Sequence, residues 1–400
     1  MPNRVEKASL LWPGWRHNPV ISAPRPCFTF LLGRALPLLE NLATVPDIHV
    51  TGTNQFMTPS LILPFHQTAP RFAGPVAHAG PRSAVLGRAT IGANVSLGED
   101  SVIRADGQEV HLGANVWLGR RATVHIVHDI LPAIVGDNVT AGTNAIIHAC
   151  TVGDNCVIEA DVTILDAAVV EANVLIEAGS TVFPRKVLES GMVYAGSPAK
   201  PVRPLREGEL AERAAALRAS RESEPALAPG REDFGETVFI ARTSQRAGRL
   251  SFAPGSSLFF SCVADAGSGI ISIGENTNIQ DNTVMRAGSG EVVIGRDTTV
   301  GHNVRMGAAR VGANALVGIG AILAEGTVIE DHVLLAAGAT TEPGQVLDAG
   351  WMWAGRPARA LSKLDDAKHA MMAQNILTYC DYSRTFRRLQ QENLQQENKG

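Results

Sequence analysis

The sequence of this 400-residue chain repeats a six-residue pattern over much of its length. An aliphatic residue opens nearly every unit, Gly, Glu or Ala follows it, and a small or polar pair that often contains Asn or Asp comes next. The pattern occurs in two blocks, which begin at Ile91 and Ile273. A fixed period of this kind is typical of a solenoid of stacked coils, whereas ordinary amphipathic strands would alternate with period two.

The six-residue period determines the local geometry of the chain. Six residues form one short strand and a corner, and three units close a triangular coil of about 18 residues. The aliphatic residue points inward, whereas Gly, Asn and Asp suit corners that need a positive φ or a local hydrogen bond. Each coil covers the next one. The sequence therefore predicts an all-β solenoid of two parallel β-helix domains in tandem.

Each block ends in a similar motif, Tyr-Ala-Gly-Ser-Pro-Ala-Lys at 194–200 and Trp-Ala-Gly-Arg-Pro-Ala-Arg at 353–359. An α-helix is expected after each motif, at about 207–220 and 362–390. The stretch 225–230, Pro-Ala-Leu-Ala-Pro-Gly, is typical of a linker. The predicted parts are an N-terminal extension (1–59), a first β-helix domain with its helix (60–222), a linker (223–232), a second β-helix domain with the C-terminal helix (233–390) and a flexible tail (391–400).

Composition excludes several classes of function. The formal net charge is −4 and no long run of one sign occurs, so nothing indicates a nucleic-acid partner or a polybasic membrane anchor. No stretch approaches the length of about 18 apolar residues that a transmembrane helix requires. The five cysteines form no CxxC pair, which favours a cytoplasmic protein with reduced thiols.

The first 56 residues are rich in proline and basic side chains. They contain five basic residues and a single acidic one before Glu40. A transit peptide, a disordered extension and an over-long reading frame with the true start at Met57 are three open interpretations.

Two histidines of the first block, His125 and His148, are separated by 23 positions with a loop insertion at 128–133 between them. Removing about five residues for the insertion leaves about 18, the length of one coil. The two side chains are therefore expected to stack in register on adjacent coils. A lone histidine on such an edge is usually structural, but two in register beside a loop suggest a metal site.

The hexapeptide blocks, the loop and the Gly-Ser-Pro-Ala-Lys ending resemble those of the gamma-class carbonic anhydrases, which are left-handed β-helices. The segment 61–72, LILPFHQTAPRF, is similar to the first strand of that family. The similarity covers most of residues 60–215 and 245–390 and implies a tandem-duplicated member. In that family three histidines bind the metal between neighbouring β-helices of a trimer, the first and third from one subunit and the second from the next.

The first half of the chain matches part of the family's motif pattern. Arg104 and Asp106 correspond to the Arg-Gly-Asp element, with alanine in place of the glycine. His125 and His148 fall on the first and third ligands, whereas Thr143 takes the place of the second. The Asn-Ile-Gln-Asp element is absent from this half.

The second half keeps the complementary elements. The Asn-Ile-Gln-Asp element is intact at 278–281, and His302 occupies the second ligand position in Val-Gly-His. Arg286 and Gly307 replace the first and third ligands. In that family the site lies across an interface between β-helices. An interface between the first half and the second half of this chain would therefore bring all three histidines together. The opposite pairing is expected to bind no metal.

The resemblance implies one composite catalytic site for the reversible hydration of carbon dioxide to bicarbonate. Three neutral imidazoles with an open coordination position are typical of catalytic zinc, and iron or cobalt also suit such a set. The resemblance assigns Gln280 to orient a hydroxide and Arg104 to hold the bicarbonate oxygens. It assigns Asp106 and Asp281 to fix the guanidinium of Arg104. Asn278 is a further candidate for the pocket lining.

Proton export is the least supported part of this interpretation. Some members of the family use acidic loop residues; here the loop offers His128 and Asp129, and no clear glutamate counterpart is found. His128 is more readily an ordinary loop residue than a proton shuttle, so turnover is expected to be slow. Tyr194 and Asn375 are weaker candidates for bordering the site.

Two alternatives stay open. Hexapeptide acyltransferases are built from the same coil and use one histidine as a general base. This sequence lacks the long protruding loop expected for an acyl-coenzyme substrate. A non-catalytic scaffold or assembly subunit is the other alternative. A homo-oligomer with trimer-like rings of β-helix domains is expected, and the sequence does not decide whether the same chain supplies His302.

Overall fold

The computed structural model describes residues 60–220, 223–228 and 230–397. The predicted N-terminal extension, residues 1–59 with Met57, lies outside these residues. Parts of the predicted linker and the last residues of the predicted tail, 398–400, lie outside them as well.

The described residues of the first half form twenty short strands and one helix. In chain order β1 to β20 are Leu61–Leu63, Arg71–Phe72, His78–Ala79, Ala84–Ile91, Ser96–Leu97, Val102–Leu112, Trp117–Leu118, Thr123–His125, Ala133–Val135, Thr140–Ala141, Ile146–His148, Thr151–Val152, Val157–Ile158, Thr163–Ile164, Val169–Val170, Leu175–Ile176, Thr181–Val182, Val187–Leu188, Met192–Ala195 and Lys200–Pro204. Helix α1, Glu209–Ala219, follows them and packs on its own half.

The described residues of the second half form eighteen strands and the second helix. In chain order β21 to β38 are Arg231–Phe234, Phe239–Ile240, Gln245–Phe252, Ser257–Leu258, Val263–Ile273, Asn278–Ile279, Val284–Arg286, Glu291–Ile294, Thr299–Val300, Arg305–Met306, Ala309–Val311, Leu316–Val317, Ile322–Leu323, Thr327–Ile329, Leu334–Leu335, Val346–Leu347, Trp351–Gly355 and Ala358–Lys363. Helix α2, Asp366–Glu397, extends beyond the expected end at residue 390.

Each half is a left-handed parallel β-helix, as the six-residue period predicts. Strands one coil apart pair in parallel, and in each half only the closing hairpin of the described strands, β19 with β20 and β37 with β38, is antiparallel. Long strands such as β6 run through a bend and belong to two faces of the triangular coil, because β6 pairs with both β8 and β9. The predicted fold class is therefore confirmed.

Asparagine stacks at one corner of the first half show why the repeat carries this residue. Asn94, Asn115, Asn138 and Asn155 have φ angles of 59°, 58°, 57° and 56°. Their amides donate to one another along the stack at 2.8, 3.0 and 3.1 Å. Asparagine tolerates the left-handed region and satisfies its own amide in this ladder, so the corner repeats without strain.

The aliphatic positions form inward-facing rows. Ile91, Leu112, Val135, Val152 and Val170 are register partners in successive coils, and each is at most 1 % exposed. Full burial of such a side chain contributes about 1.5–3 kcal/mol. The many thin layers therefore stabilise the coil stack without a large aromatic core.

Helix α2 packs across both halves through a third apolar cluster, here called the bridging cluster. Its largest members are Leu61, Leu63 and Phe65 from the first half, Phe239, Phe259 and Phe260 from the second half, and Tyr379, Tyr382 and Phe386 from α2. Within the described residues, neither helix has the length and apolarity needed to cross a bilayer.

A polar seam joins a strand edge of the first half to the corners of the second half. Asn282 donates to the Thr123 hydroxyl at 2.9 Å, and Thr123 contacts the side-chain oxygen of Asn303 at 2.6 Å. Asn303 also donates to the backbone oxygen of Arg121 at 2.8 Å. These buried bonds set the edge of β8 against the corners that follow β26 and β29.

Candidate metal centre

The two histidines of the first half end neighbouring strands on the seam. His125 ends β8 and His148 ends β11, and the two residues are register partners in a parallel pair. This is the register that the coil length predicts once the loop insertion is removed. Their ring nitrogens, Nδ1 of His125 and Nε2 of His148, lie 3.3 Å apart.

The third histidine comes from the second half of the same chain. His302 lies in the corner after β29, next to Asn303, whose φ is 53°. One ring nitrogen from each of His125, His148 and His302 lies within 4.8 Å of the others, and all three side chains are buried. The structure therefore brings the three predicted ligands together within one chain.

Each histidine of the first half has a carboxylate on its other ring nitrogen. Nε2 of His125 lies 3.1 Å from Oδ1 of Asp106, and Nδ1 of His148 lies 2.6 Å from Oδ1 of Asp166. A carboxylate in this position fixes the tautomer and the orientation of a ligating ring. Asp166 was not among the predicted site residues, although it follows His148 by 18 positions, which is one coil.

His302 follows the same pattern. Its Nδ1 lies 3.2 Å from Oδ2 of Asp281, and its Nε2 lies 3.3 Å from the hydroxyl of Tyr379. Three imidazoles that converge from three strands and corners, each oriented by a carboxylate, match the donor set of a metal site with an open position. The residues present therefore fit a zinc, iron or cobalt ion on the chemistry of their donors.

Arg104 joins the two halves at the centre. Its guanidinium is fully buried, with Nε 3.2 Å from Oδ2 of Asp106 and Nη1 3.3 Å from Oδ2 of Asp281. Its Nη2 donates to the Tyr379 hydroxyl at 2.9 Å. Among the described residues, Nε and Nη1 make no hydrogen bond of good geometry, although each lies next to a carboxylate oxygen.

Aromatic rings enclose the guanidinium. The Cζ atom of Arg104 lies 5.0 Å from the ring centre of Phe259, 5.3 Å from that of Tyr379 and 5.8 Å from that of Tyr382. Such rings stabilise a cation and exclude water from it. None of the three aromatic residues was predicted, because no spacing rule connects Phe259 or the helix that carries Tyr379 and Tyr382 with the Arg-Ala-Asp element.

Gln280 is held by a neighbouring amide of its own corner. The side chain is buried, and its amide nitrogen donates to the Asn278 carbonyl at 3.1 Å. Asn278 in turn donates to Thr299 at 2.9 Å, and Thr299 donates to Asn375 of α2 at 3.0 Å. Asp281 contacts Arg104, whereas the side-chain hydrogen bond of Gln280 stays within its own corner.

Arg286 and Tyr194 form contacts with residues other than the three histidines. Arg286, which replaces the first ligand, is about half exposed and pairs with Asp265 at 3.2 Å and with Glu224 at 3.0 Å. The hydroxyl of Tyr194 accepts a bond from the backbone of Glu189 at 2.7 Å, inside the first core. Tyr194 therefore serves the end of its own coil stack.

Burial and charge keep the histidines neutral. Burial, with the nearby Arg104 cation, lowers the pKa of His125 well below its usual value. Burial also lowers the pKa of His302 to about 4, against the opposing effect of Asp281. Burial alone would raise the pKa of Asp281, but Arg104 and His302 outweigh it and lower the pKa. Neutral imidazole is the form that binds a metal.

The metal-free protein is expected to lose stability as the pH falls from about 6.5 to about 4. Because the folded pKa of His302 is lowered to about 4, the unfolded chain takes up the proton first, and protonation favours unfolding over this interval. Each pKa unit corresponds to about 1.4 kcal/mol, so the loss amounts to a few kcal/mol. Denaturant unfolding of chelator-treated protein at about pH 7 and about pH 4.5 measures it. His302→Asn should show a smaller loss, and an equal loss in both proteins would contradict this assignment.

Comparisons with known proteins identify relatives of this chain. The family described as "Hexapeptide repeat of succinyl-transferase" matches residues 132–166 and 308–340. Protein YrdA of Escherichia coli (strain K12) is 38% identical over 135 residues, which cover 32% of this chain and 73% of that protein. Gamma carbonic anhydrase 2, mitochondrial, of Arabidopsis thaliana is 32% identical over 135 residues, which cover 32% of this chain and 49% of that protein.

Among solved structures, a putative acetyltransferase from Desulfovibrio desulfuricans G20 aligns with a TM-score of 0.50 and 13% identity over 82% of this chain and 81% of that one, which shows a shared fold. The chain spans about half the length of the Arabidopsis relative. Repeats, fold and relatives together define a hexapeptide-repeat protein. The chain belongs to the family of gamma carbonic anhydrase-like proteins within that class.

Proposed function

We propose that this protein is a gamma-class carbonic anhydrase-like metalloenzyme that hydrates carbon dioxide reversibly to bicarbonate. One composite centre between the two halves would carry the reaction. The observation that carries the proposal is the convergence of His125, His148 and His302 in a buried cluster. Zinc is the proposed metal, and iron or cobalt suits the same donors.

A zinc ion held by three imidazoles lowers the pKa of a coordinated water to about 7, which makes hydroxide available at neutral pH. The three histidines would hold this ion through the nitrogens that do not face carboxylates. Asp106, Asp166 and Asp281 would keep the rings in the ligating tautomer, since each accepts from the opposite nitrogen.

Arg104 would bind the bicarbonate oxygens. Its buried charge is countered by Asp106 and Asp281. In an environment of low dielectric constant, a preorganised cation stabilises developing negative charge far more than it would in water. The surrounding rings of Phe259 and Tyr379 would keep that environment dry.

Gln280 would orient the attacking oxygen. Because its amide nitrogen is held by Asn278, its carbonyl oxygen is the side-chain atom left to accept a bond. This arrangement supports a role in accepting a hydrogen bond from water, as the family resemblance implies.

Metal analysis joined to native mass spectrometry and stopped-flow carbon dioxide hydration tests the proposal. We expect one metal ion per chain or fewer, because the opposite pairing of Arg286, Gly307 and Thr143 lacks ligands. Hydration should exceed the buffer rate and should disappear after chelation. Two ions per chain, or trace metal after growth with zinc and with iron, would contradict it. Binding of an acyl-coenzyme without metal would favour an acyltransferase. If the protein bound neither metal nor an acyl-coenzyme, a scaffold would be favoured.

The native mass also tests the predicted homo-oligomer with trimer-like rings. Because one chain supplies both sides of the composite centre, the number of metal ions per chain does not depend on how many chains assemble. The cytoplasmic location stays a prediction.

A further inference from the structure

A carboxylate of the linker bonds one arginine from each half of the chain. Nη2 of Arg120, from the first half, lies 2.8 Å from Oε2 of Glu224. Nη2 of Arg286, from the second half, lies 3.0 Å from the same oxygen. The other terminal nitrogen of Arg286, Nη1, lies 3.2 Å from Oδ2 of Asp265. A single carboxylate oxygen therefore holds two guanidinium groups that belong to different halves.

The two arginines stand at positions that correspond to residues of the metal centre, with the halves exchanged. Arg286 ends β27 of the second half, as His125 ends β8 of the first half. Arg120 follows β7 by two positions, as Asp281 follows β26. An imidazole and a carboxylate of the metal centre are thus both replaced by cations. This second pair of positions repels a metal ion and attracts an anion.

The pair is also more open than the metal centre. Arg120 is 12 % exposed, Glu224 38 % and Arg286 45 %, so solvent and small solutes reach the carboxylate. Within the described parts of the chain, Nε of Arg120 is buried and has no hydrogen-bond partner. A guanidinium presents five N–H donors in a planar fork that fits both oxygens of a carboxylate. Glu224 therefore uses only part of the donor set around it.

The charges at this position favour an anion. Burial alone would raise the pKa of Glu224, but the hydrogen bond to Arg120 and the charges of Arg286 and Arg121 outweigh it and lower the pKa. Asp265 is the opposing negative group, and it pairs with Arg286. Glu224 is therefore bound as a carboxylate, and it belongs to the same chain as its two arginines. Such tethering gives it an effective concentration of about millimolar or higher.

We propose that Arg120 and Arg286 form a binding site for small carboxylates, that Glu224 is its resident ligand, and that a free carboxylate binds there once the Glu224 carboxylate is removed. The proposal goes beyond the proposed function, because it requires neither a metal nor the hydration of carbon dioxide. The linker would thereby be held to both halves by a ligand that a free anion can replace.

The test measures acetate binding to the metal-free full-length protein by calorimetry, at an ionic strength kept constant with chloride. Glu224→Ala should bind acetate at least about tenfold more tightly than wild type, because the tethered competitor is gone. The double variant Glu224→Ala/Arg286→Ala should lose this gain. Arg104 is unchanged in every variant, so any acetate that it binds cancels in the comparison.

The matched control is Glu109→Ala, which frees Arg88 in the same way. Arg88 is 47 % exposed, close to the 45 % of Arg286, but its partner Glu109 is the only carboxylate within salt-bridge distance among the described residues. A single exposed guanidinium should not bind acetate measurably. A gain in Glu109→Ala equal to that in Glu224→Ala would show that any freed surface arginine binds acetate, and the site would be wrong.

Thermal unfolding supplies a second readout. Acetate should raise the melting temperature of Glu224→Ala, since a ligand that binds only the folded state stabilises it, and it should leave the double variant unchanged. Circular dichroism verifies that each variant folds. Acetate affinity in Glu224→Ala no higher than in wild type, or a gain that survives Arg286→Ala, would overturn the inference and leave an ordinary structural ion pair. Neither result bears on metal binding or hydration by wild type, which test the proposed function separately.

Discussion

Replacing His302 by alanine is expected to remove bound metal as completely as replacing His125, although the two residues belong to different halves. Each supplies one nitrogen to the cluster, and loss of one of three imidazoles leaves too few donors for a stable site. Metal per chain should fall from at most one to near zero in both variants. Elemental analysis after gel filtration, with circular dichroism to verify folding, measures this.

The control is His369→Ala, a partly exposed histidine on α2 whose ring packs on His332, with centres 5.6 Å apart. It should keep the wild-type metal content. Full occupancy in His302→Ala would show that the second half supplies no ligand, and the composite centre would then be wrong. Partial metal occupancy in His302→Ala, with the metal affinity of the wild type, would also contradict the composite centre.

Replacing Arg104 by leucine is expected to lower the free energy of unfolding by about 3–5 kcal/mol, because it leaves Asp106 and Asp281 buried without their cation. Both carboxylates have fully buried side chains, and the guanidinium also carries the bond to Tyr379. Urea unfolding of the metal-free protein measures the loss, if folding is reversible.

Arg88→Leu is the matched control for charge removal in the first half. Arg88 is 47 % exposed and pairs with Glu109, which is 66 % exposed. Surface pairs of this kind contribute about 0–1 kcal/mol. A loss for Arg104→Leu as small as that for Arg88→Leu would mean that the central ion pairs do not stabilise the seam. Adding Asp106→Asn to Arg104→Leu should recover part of the loss, since it removes one uncompensated charge.

Most of the fold could be predicted because the repeat is local. The residues of an aliphatic row such as Ile91, Leu112 and Val135 occur in the sequence once per coil. The asparagines of the corner that includes Asn94 recur with the same spacing. The C-terminal helix was predicted too short. Its last turns, to Glu397, carry a polar sequence that resembles a fraying tail, although Gln390 donates to the backbone of Ile240.

The ligand set could be predicted for the same reason, since register follows from coil length. His125 and His148 are one coil apart once the loop is removed, and the same rule would have found Asp166 one coil further on. Tyr379 and Tyr382 could not be found this way. Their positions depend on where α2 lies across the two halves, and no period in the sequence encodes that packing.

The contacts of Gln280 could not be predicted from the motif. The Asn-Ile-Gln-Asp element is intact, but its side chains make different contacts. Asp281 pairs with Arg104 across the seam, whereas Gln280 donates a hydrogen bond to Asn278 in its own corner. Alignment identifies the residue, whereas the direction of a flexible amide depends on its neighbours in the folded corner.

Helix α2 has a consequence for how the protein is made. The bond between Arg104 and Tyr379 joins residues separated by 275 positions. During synthesis the coils of the first half can stack as they emerge, because each contacts only its neighbours. The arginine and the strands at Leu61 and Leu63 have no covering helix until α2 has been synthesised. A chain that stops before α2 would therefore carry all three histidines on stacked coils, but it would lack the helix that covers Arg104.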